Sequence, residues 1–263
     1  MTDIPDSKAA TPGVETQPAV EAMPHKKSVL LDTCVLARLS LYFEACLAAK
    51  LEPGCTIDEL HRSMCELRLC SRPGDLLAGG SIKDGRETWA AMVATPDSQY
   101  SYSLLSQLET QVLLEERAVD ALLLGKVPFR LWRNKPLRMQ TEIDYDAEVL
   151  DKWTGLISTM ETVVNVQCIE GVDEVRPSDI VDVSNILSRH LVLDPIDLYL
   201  YSCAVFAMVD EVWTYDGDLR ILVEDITTNG HFQSQRGAMD VELADLNEKF
   251  GSGGFTWPSA ISP

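Results

Sequence analysis

Two aspartates, Asp32 and Asp216, each stand directly behind a short apolar run, Val29-Leu30-Leu31 and Val212-Trp213-Thr214-Tyr215. An acid just past a buried strand has two readings. It caps the helix that follows, or it lies at the carboxyl edge of an open α/β sheet, where ligands bind. Two more acids fall on stripes that are otherwise apolar. Glu109 has Leu105, Val112 and Leu113 at helical spacing, and Asp197 has Leu193 one turn back and Leu200 and Tyr201 one turn on. A carboxylate on a core-facing stripe is costly unless it is paired, reaches past the stripe to solvent, or coordinates a metal. If the four acids meet, carboxylate oxygens and water suit Mg²⁺ or Mn²⁺. Unit charges about 4 Å apart repel by about 4 kcal/mol at an effective dielectric near 20, so such a cluster partly protonates without an ion. With one or two divalent ions it becomes a template for in-line attack of activated water on a phosphodiester.

The elements that must position these acids can be read from periodicity. Lys26-Lys27-Ser28-Val29-Leu30-Leu31 predicts a buried strand that stops at Asp32-Thr33, and a helix then runs through Lys50 to the Pro53-Gly54 stop. Thr56-Ile57-Asp58-Glu59 is a capping-box sequence ahead of a stripe of Ile57, Leu60, Met64 and Leu67. Residues 71–99, rich in Gly, Pro, Ser and Asp, read as a long irregular connection. A second strong helix starts near Tyr102, with Leu104, Leu108 and Val112 inward and Leu105 and Leu113 widening the face. Val163 to Ile169 alternates like a strand. Pro177-Ser178 precedes a helix that turns Ile180, Val183, Ile186 and Leu187 inward, and Asp194-Pro195 starts the next as cap and first turn. Strands alternating with helices predict a parallel sheet flanked by helices, with Asp32 and Asp216 at the same edge.

Lys-Ser-Val-Leu-Leu-Asp32-Thr33, Ser106-Gln107-Leu108-Glu109, Leu193 to Leu200 around Asp197, and Val212-Trp213-Thr214-Tyr215-Asp216 resemble the ordered landmarks of the PIN-domain family over roughly residues 28–225. In that family a strand-end Asp followed by Thr or Ser comes first, then a helical Glu. An Asp opening a helix of small residues and a Thr-x-Asp strand ending complete the series. The resemblance implies a PIN-like α/β fold with helices on both faces and a helical insertion after the first strand, at about residues 50–100. It implies a metal-dependent endoribonuclease in which Asp32 and Asp216 are the main ligands of Mg²⁺ or Mn²⁺. Glu109 and Asp197 complete the shell or orient water, and Thr214 supports the site by hydrogen bonding. Cys34 stands where the family often has Asn or Ser, and the span from Asp32 to Glu109 is longer than in compact members. Glu115 and Glu116 compete with Glu109, Asp218 with Asp216 (and serves otherwise as support), and Asp194 with Asp197, although Pro195 makes Asp194 the better cap.

Lys126, Arg130, Arg133, Lys135 and Arg138 lie in an acid-free stretch interleaved with Phe129 and Trp132. Phosphate contacts and an aromatic stacking surface there would suit single-stranded RNA, with Arg130, Arg133 and Lys135 as contact residues. A solvated surface or a partner-binding segment fits the stretch equally well. Cys55, His61, Cys65 and Cys70 match no usual zinc spacing and read as reduced, half-buried thiols.

Composition bounds the rest. The net charge of −19, from 41 acidic and 22 basic residues, cuts against a general nucleic-acid binder and calls for a local basic patch at any RNA site, with metal ions neutralising part of the acidic surface. Residues 1–25 are expected to be a disordered tail, residues 26–250 the domain, and Gly251–Pro263 a flexible tail. An odd count of seven cysteines, no signal-peptide pattern and no apolar run long enough to span a bilayer predict a cytoplasmic protein without a membrane partner. An antitoxin-like protein partner and a homodimer are compatible with the resemblance, although the insertion, the tail and the acidity point away from a minimal toxin. The rival from another class is a PIN-like interaction module, binding protein or RNA, whose acids no longer cleave.

Overall fold

The computed structural model describes residues 26–67, 81–123, 126, 137–138, 140–172, 175–228, 233–250 and 255–263. Five strands, β1 (Ser28–Leu31), β2 (Gln99–Tyr102), β3 (Asn165–Cys168), β4 (Glu211–Trp213) and β5 (Ser259–Ile261), form one all-parallel sheet in the order β3-β2-β1-β4-β5. The helices are α1 (Thr33–Ala49), α2 (Ile57–Glu66), α3 (Ser81–Ala94), α4 (Leu104–Leu123), α5 (Asp151–Glu161, entered through a π-helical turn), α6 (Pro177–Leu187), α7 (Pro195–Phe206), α8 (Gly217–Thr227) and α9 (Gln233–Phe250). The chain leaves central β1 toward β2 and β3, then returns on the other side of β1 to β4 and β5. The direction of winding therefore reverses between β1 and β4, and in open parallel sheets the crevice at such a reversal is the place where ligands bind.

Alternation along β1 builds both faces. Val29 and Leu31 point into one core with Tyr100, Tyr102 and Trp213 of the neighbouring strands and with α1, α3 and α5. Leu30 points into the other, with Val212 and side chains of α6 to α9. Helices thus cover both faces of a sheet in whose central strand Val29, Leu30 and Leu31 are fully buried.

Three expectations are corrected. Within the stretch 71–99 read as an irregular connection, residues 81–94 form α3, and from its last residue Gln99–Tyr102 form β2, a strand beside β1. The buried face of this helix is Gly85, Thr88, Trp89 and Met92, where Gly85 and Thr88 interrupt the apolar stripe that Trp89 and Met92 begin. In α4 the inward face is Ser106, Thr110, Gln111 and Leu114, while Leu104, Leu108 and Val112 are 45, 50 and 54% exposed. Small hydroxyl side chains let α4 settle on α1, where Arg117 reaches Ala37 O and Ser40 Oγ at 3.0 and 2.8 Å. Finally, the C-terminal residues do not all form a loose tail. Ser259–Ile261 adds β5 to the edge of β4, Phe255 and Trp257 pack onto the second core, and Trp257 Nε1 donates to Asp240 Oδ1 at 2.7 Å. The N-terminal segment 1–25, most of the basic stretch including Arg130, Arg133 and Lys135, and part of the insertion lie outside the described residues.

Candidate active site

Asp32 follows β1 and occupies the N-cap position of α1, yet its side chain makes no capping hydrogen bond. The residue is buried, 7% exposed, and the bonds its carboxylate accepts come from across the sheet edge and from the next turn. Thr214 Oγ1 donates to Asp32 Oδ2 at 2.6 Å, and Cys34 Sγ donates to the same oxygen at 2.8 Å. The Cys34 thiol also accepts from Tyr215 N at 3.1 Å. Burial first, and then the charge of Asp32, push this thiol up to about 12, so it stays protonated and serves as a donor. The departure from Asn or Ser at this position therefore still supplies a hydrogen to the first acid.

Asp216 follows β4 and does cap its helix. Its Oδ1 accepts from Asp218 N at 2.7 Å and Leu219 N at 3.1 Å, while its own N–H donates to Thr214 Oγ1 at 2.9 Å. Fully buried Thr214 thus ties the two aspartates together through one hydroxyl. Asp218 is exposed and enters only through its backbone. Glu109, half-buried on α4, accepts from Thr33 Oγ1 at 2.6 Å, which brings the helical acid beside the first landmark. Its rivals Glu115 and Glu116 are exposed. Asp194 caps α7 through Ile196 N at 3.0 Å, in keeping with its place before Pro195, and Asp197 lies in the first turn that follows.

Asp197 reports on that neighbourhood. Its carboxyl is pushed up to about 6, first by burial and then by the charges of Asp216, Asp32, Asp194 and Glu109. Thr214 and Thr33 thus tie Asp32, Asp216 and Glu109 together at the carboxyl ends of β1 and β4, and the charges of these acids reach Asp197 in the first turn of α7. Among the described residues, Asp32 Oδ1 and Asp216 Oδ2 accept no hydrogen bond. An all-oxygen donor set of this kind fits a hard divalent cation. The carboxylates are not drawn into a closed shell: among the described residues, no three His, Cys, Asp or Glu side chains form a ready-made metal site. Mutual repulsion holds uncompensated carboxylates apart, and Mg²⁺ normally takes only one or two of them with water and substrate oxygens filling the rest.

Sequence reasoning missed two features of this edge. Glu170, just past β3, accepts from Leu104 N at 2.8 Å and from Tyr199 Oη at 3.2 Å, joining the starts of α4 and α7. Its signal was weaker than that of Asp32: an acid behind an alternating strand rather than directly behind a continuous apolar run. Tyr215, between Thr214 and Asp216, has the Arg38 guanidinium 3.7 Å from its ring centroid. No local periodicity links those two residues. Compared with known proteins, the chain gives no significant match to a family model, to a curated protein or to a solved structure.

Proposed function

We propose that the chain is a metal-dependent nuclease of the PIN-like type that cleaves RNA phosphodiester bonds. One observation carries the reading: the Thr214 hydroxyl joins Asp32 and Asp216 at 2.6 and 2.9 Å while Thr33 holds Glu109 at 2.6 Å, and the charges of these three acids help raise the carboxyl of Asp197. Four separate segments that meet on one acidic patch at a winding reversal are what the resemblance requires and what unrelated helix caps do not explain. Asp32 and Asp216 would hold Mg²⁺ or Mn²⁺, with Glu109 and Asp197 beside them. The bound ion supplies charge neutralisation at the phosphate and activation of the attacking water. The protein's own part is orientation. Thr214 and Cys34 fix one oxygen of Asp32, the α8 amides fix one oxygen of Asp216, and Thr33 fixes Glu109.

The test is direct. The protein should gain thermal stability with added Mn²⁺ as RT ln(1 + [L]/Kd) requires, and it should cleave single-stranded RNA only with Mn²⁺ or Mg²⁺ present. Neither stabilisation nor cleavage in either metal would leave the second reading, an interaction module without activity. That reading is favoured by the open spacing of the acids and by the net charge of −19.

A further inference from the structure

We infer that Tyr215 is a positioning residue through which the inserted helix α3 sets Asp216, an inference that rests on the nuclease reading of the acidic patch. Tyr215 is the middle residue of Thr214-Tyr215-Asp216, and it is gripped from three sides. Its N–H donates to Cys34 Sγ at 3.1 Å. Its hydroxyl lies 3.0 Å from Asp84 O and 2.9 Å from Thr88 Oγ1, both on α3. Thr88 Oγ1 is itself 2.9 Å from Asp84 O, so two hydroxyl protons serve three short contacts. The Arg38 guanidinium packs on the ring, and its Nε is 3.4 Å from Asp84 Oδ2. Among the described residues the buried Nη1 of Arg38 has no acceptor, so the ring and Asp84, rather than a full fork of hydrogen bonds, hold this side chain.

The inserted helix can reach Tyr215 because α3 lies backbone-to-backbone on α1. A Cβ built on Gly85 would come within 2.2 Å of Arg38 O, an approach that only glycine permits. Gly85, Asp84 and Thr88 are thus one contact surface whose far end is the Tyr215 hydroxyl. From Tyr215 the chain passes in one residue to Asp216, whose carboxylate has no other anchor than the α8 amides among the described residues.

The amides of residues 215, 216, 218 and 219 all donate to side chains of this constellation, so their hydrogen exchange reads the geometry without any metal. Tyr215→Phe keeps the ring under Arg38 and removes only the hydroxyl. It should speed exchange at these four amides by about tenfold relative to the rest of the protein, lower the melting temperature by no more than a few degrees, and weaken Mn²⁺ binding by about threefold to tenfold. Gly85→Ala, which pushes α3 off α1, should reproduce the same local pattern, and Tyr215→Phe decides alone should Gly85→Ala fail to fold. Exchange at wild-type rates in residues 215–219 overturns the inference, and so does a uniform rise over the whole chain, which marks plain packing. If the wild type binds no Mn²⁺, the metal reading falls while the exchange result still decides whether α3 positions Asp216.

Discussion

The Thr214 hydroxyl donates to Asp32 Oδ2 at 2.6 Å while accepting the N–H of Asp216 at 2.9 Å, so one buried side chain couples the ends of two adjacent parallel strands. Thr214→Val has nearly the same shape but cannot make either bond. A hydrogen bond to a charged group contributes about 1.5–3 kcal/mol, and Asp32 Oδ2 would keep only the weak thiol donor of Cys34. Thr214→Val should therefore lower unfolding free energy by about that amount in urea titrations and weaken divalent-ion binding. Thr214→Ser should restore most of both. Equal stability of the Val and Ser variants would mean that the hydroxyl does not carry the link.

Protonation of Asp197 gives a pH signature. Its folded value of about 6 lies above the ordinary carboxylate value of about 3.9, so between these the folded state binds more protons than the unfolded one. Stability contributed by this group is present below about pH 4 and is lost as pH rises through about 6. Solvent screening at this half-exposed position reduces the size of the effect, and its sign remains. Relative to Asp197→Asn, the metal-free wild type should lose stability from pH 4.5 to 7, and saturating Mn²⁺ should flatten the difference. A difference that grows with pH in the opposite sense would separate Asp197 from the other acids.

The strand-end acids were legible in the sequence because a short apolar run and an acid need no partner to be recognised. The cap at Asp194 was legible for the same reason, since Asp before Pro is a local device. What stayed hidden depends on partners far along the chain. β2 reads Gln-Tyr-Ser-Tyr, with no aliphatic residue, and is a strand because Tyr100 and Tyr102 bury against β1 and its core. The buried face of α4 could not be chosen from its leucines, because the surface it meets selects Ser106, Thr110 and Gln111 instead. Arg38 and Tyr215 are likewise joined only by the fold.

The C-terminal strand yields a prediction opposite to what composition alone suggests. Gly, Ser and Pro around residues 251–263 read as loose, yet Thr214 N donates to Ile261 O at 2.9 Å, directly beside the acid site. Truncation after Gly251 would strip β5 from β4, expose Val212 and Trp213, and uncover the packing of Phe255 on Phe206 and of Trp257 on Tyr201. Such a loss should lower the melting temperature by several degrees or more in a chain of this size. An unchanged melting curve would show that neither the pairing of β5 nor its aromatic packing contributes to stability.

Asp216→Asn separates catalysis from structure most cleanly. The amide oxygen of Asn can still accept from Asp218 N and Leu219 N, so the cap on α8 survives, and Asn is as good a cap as Asp. What disappears is one negative charge in a patch where Asp197 already feels Asp32, Asp194 and Glu109. Relief of that repulsion should leave metal-free stability unchanged or raised, and the Asp197 carboxyl should titrate closer to its ordinary value. The Mn²⁺-induced rise in melting temperature should shrink, and cleavage of single-stranded RNA should fall by orders of magnitude. The informative pattern is lost cleavage with kept or increased stability in the absence of metal. A purely structural Asp216 predicts a variant that behaves as wild type in both metal response and activity. Measuring melting curves with and without Mn²⁺ beside initial cleavage rates distinguishes the two, because a capping residue and a metal ligand differ only in whether the charge is needed.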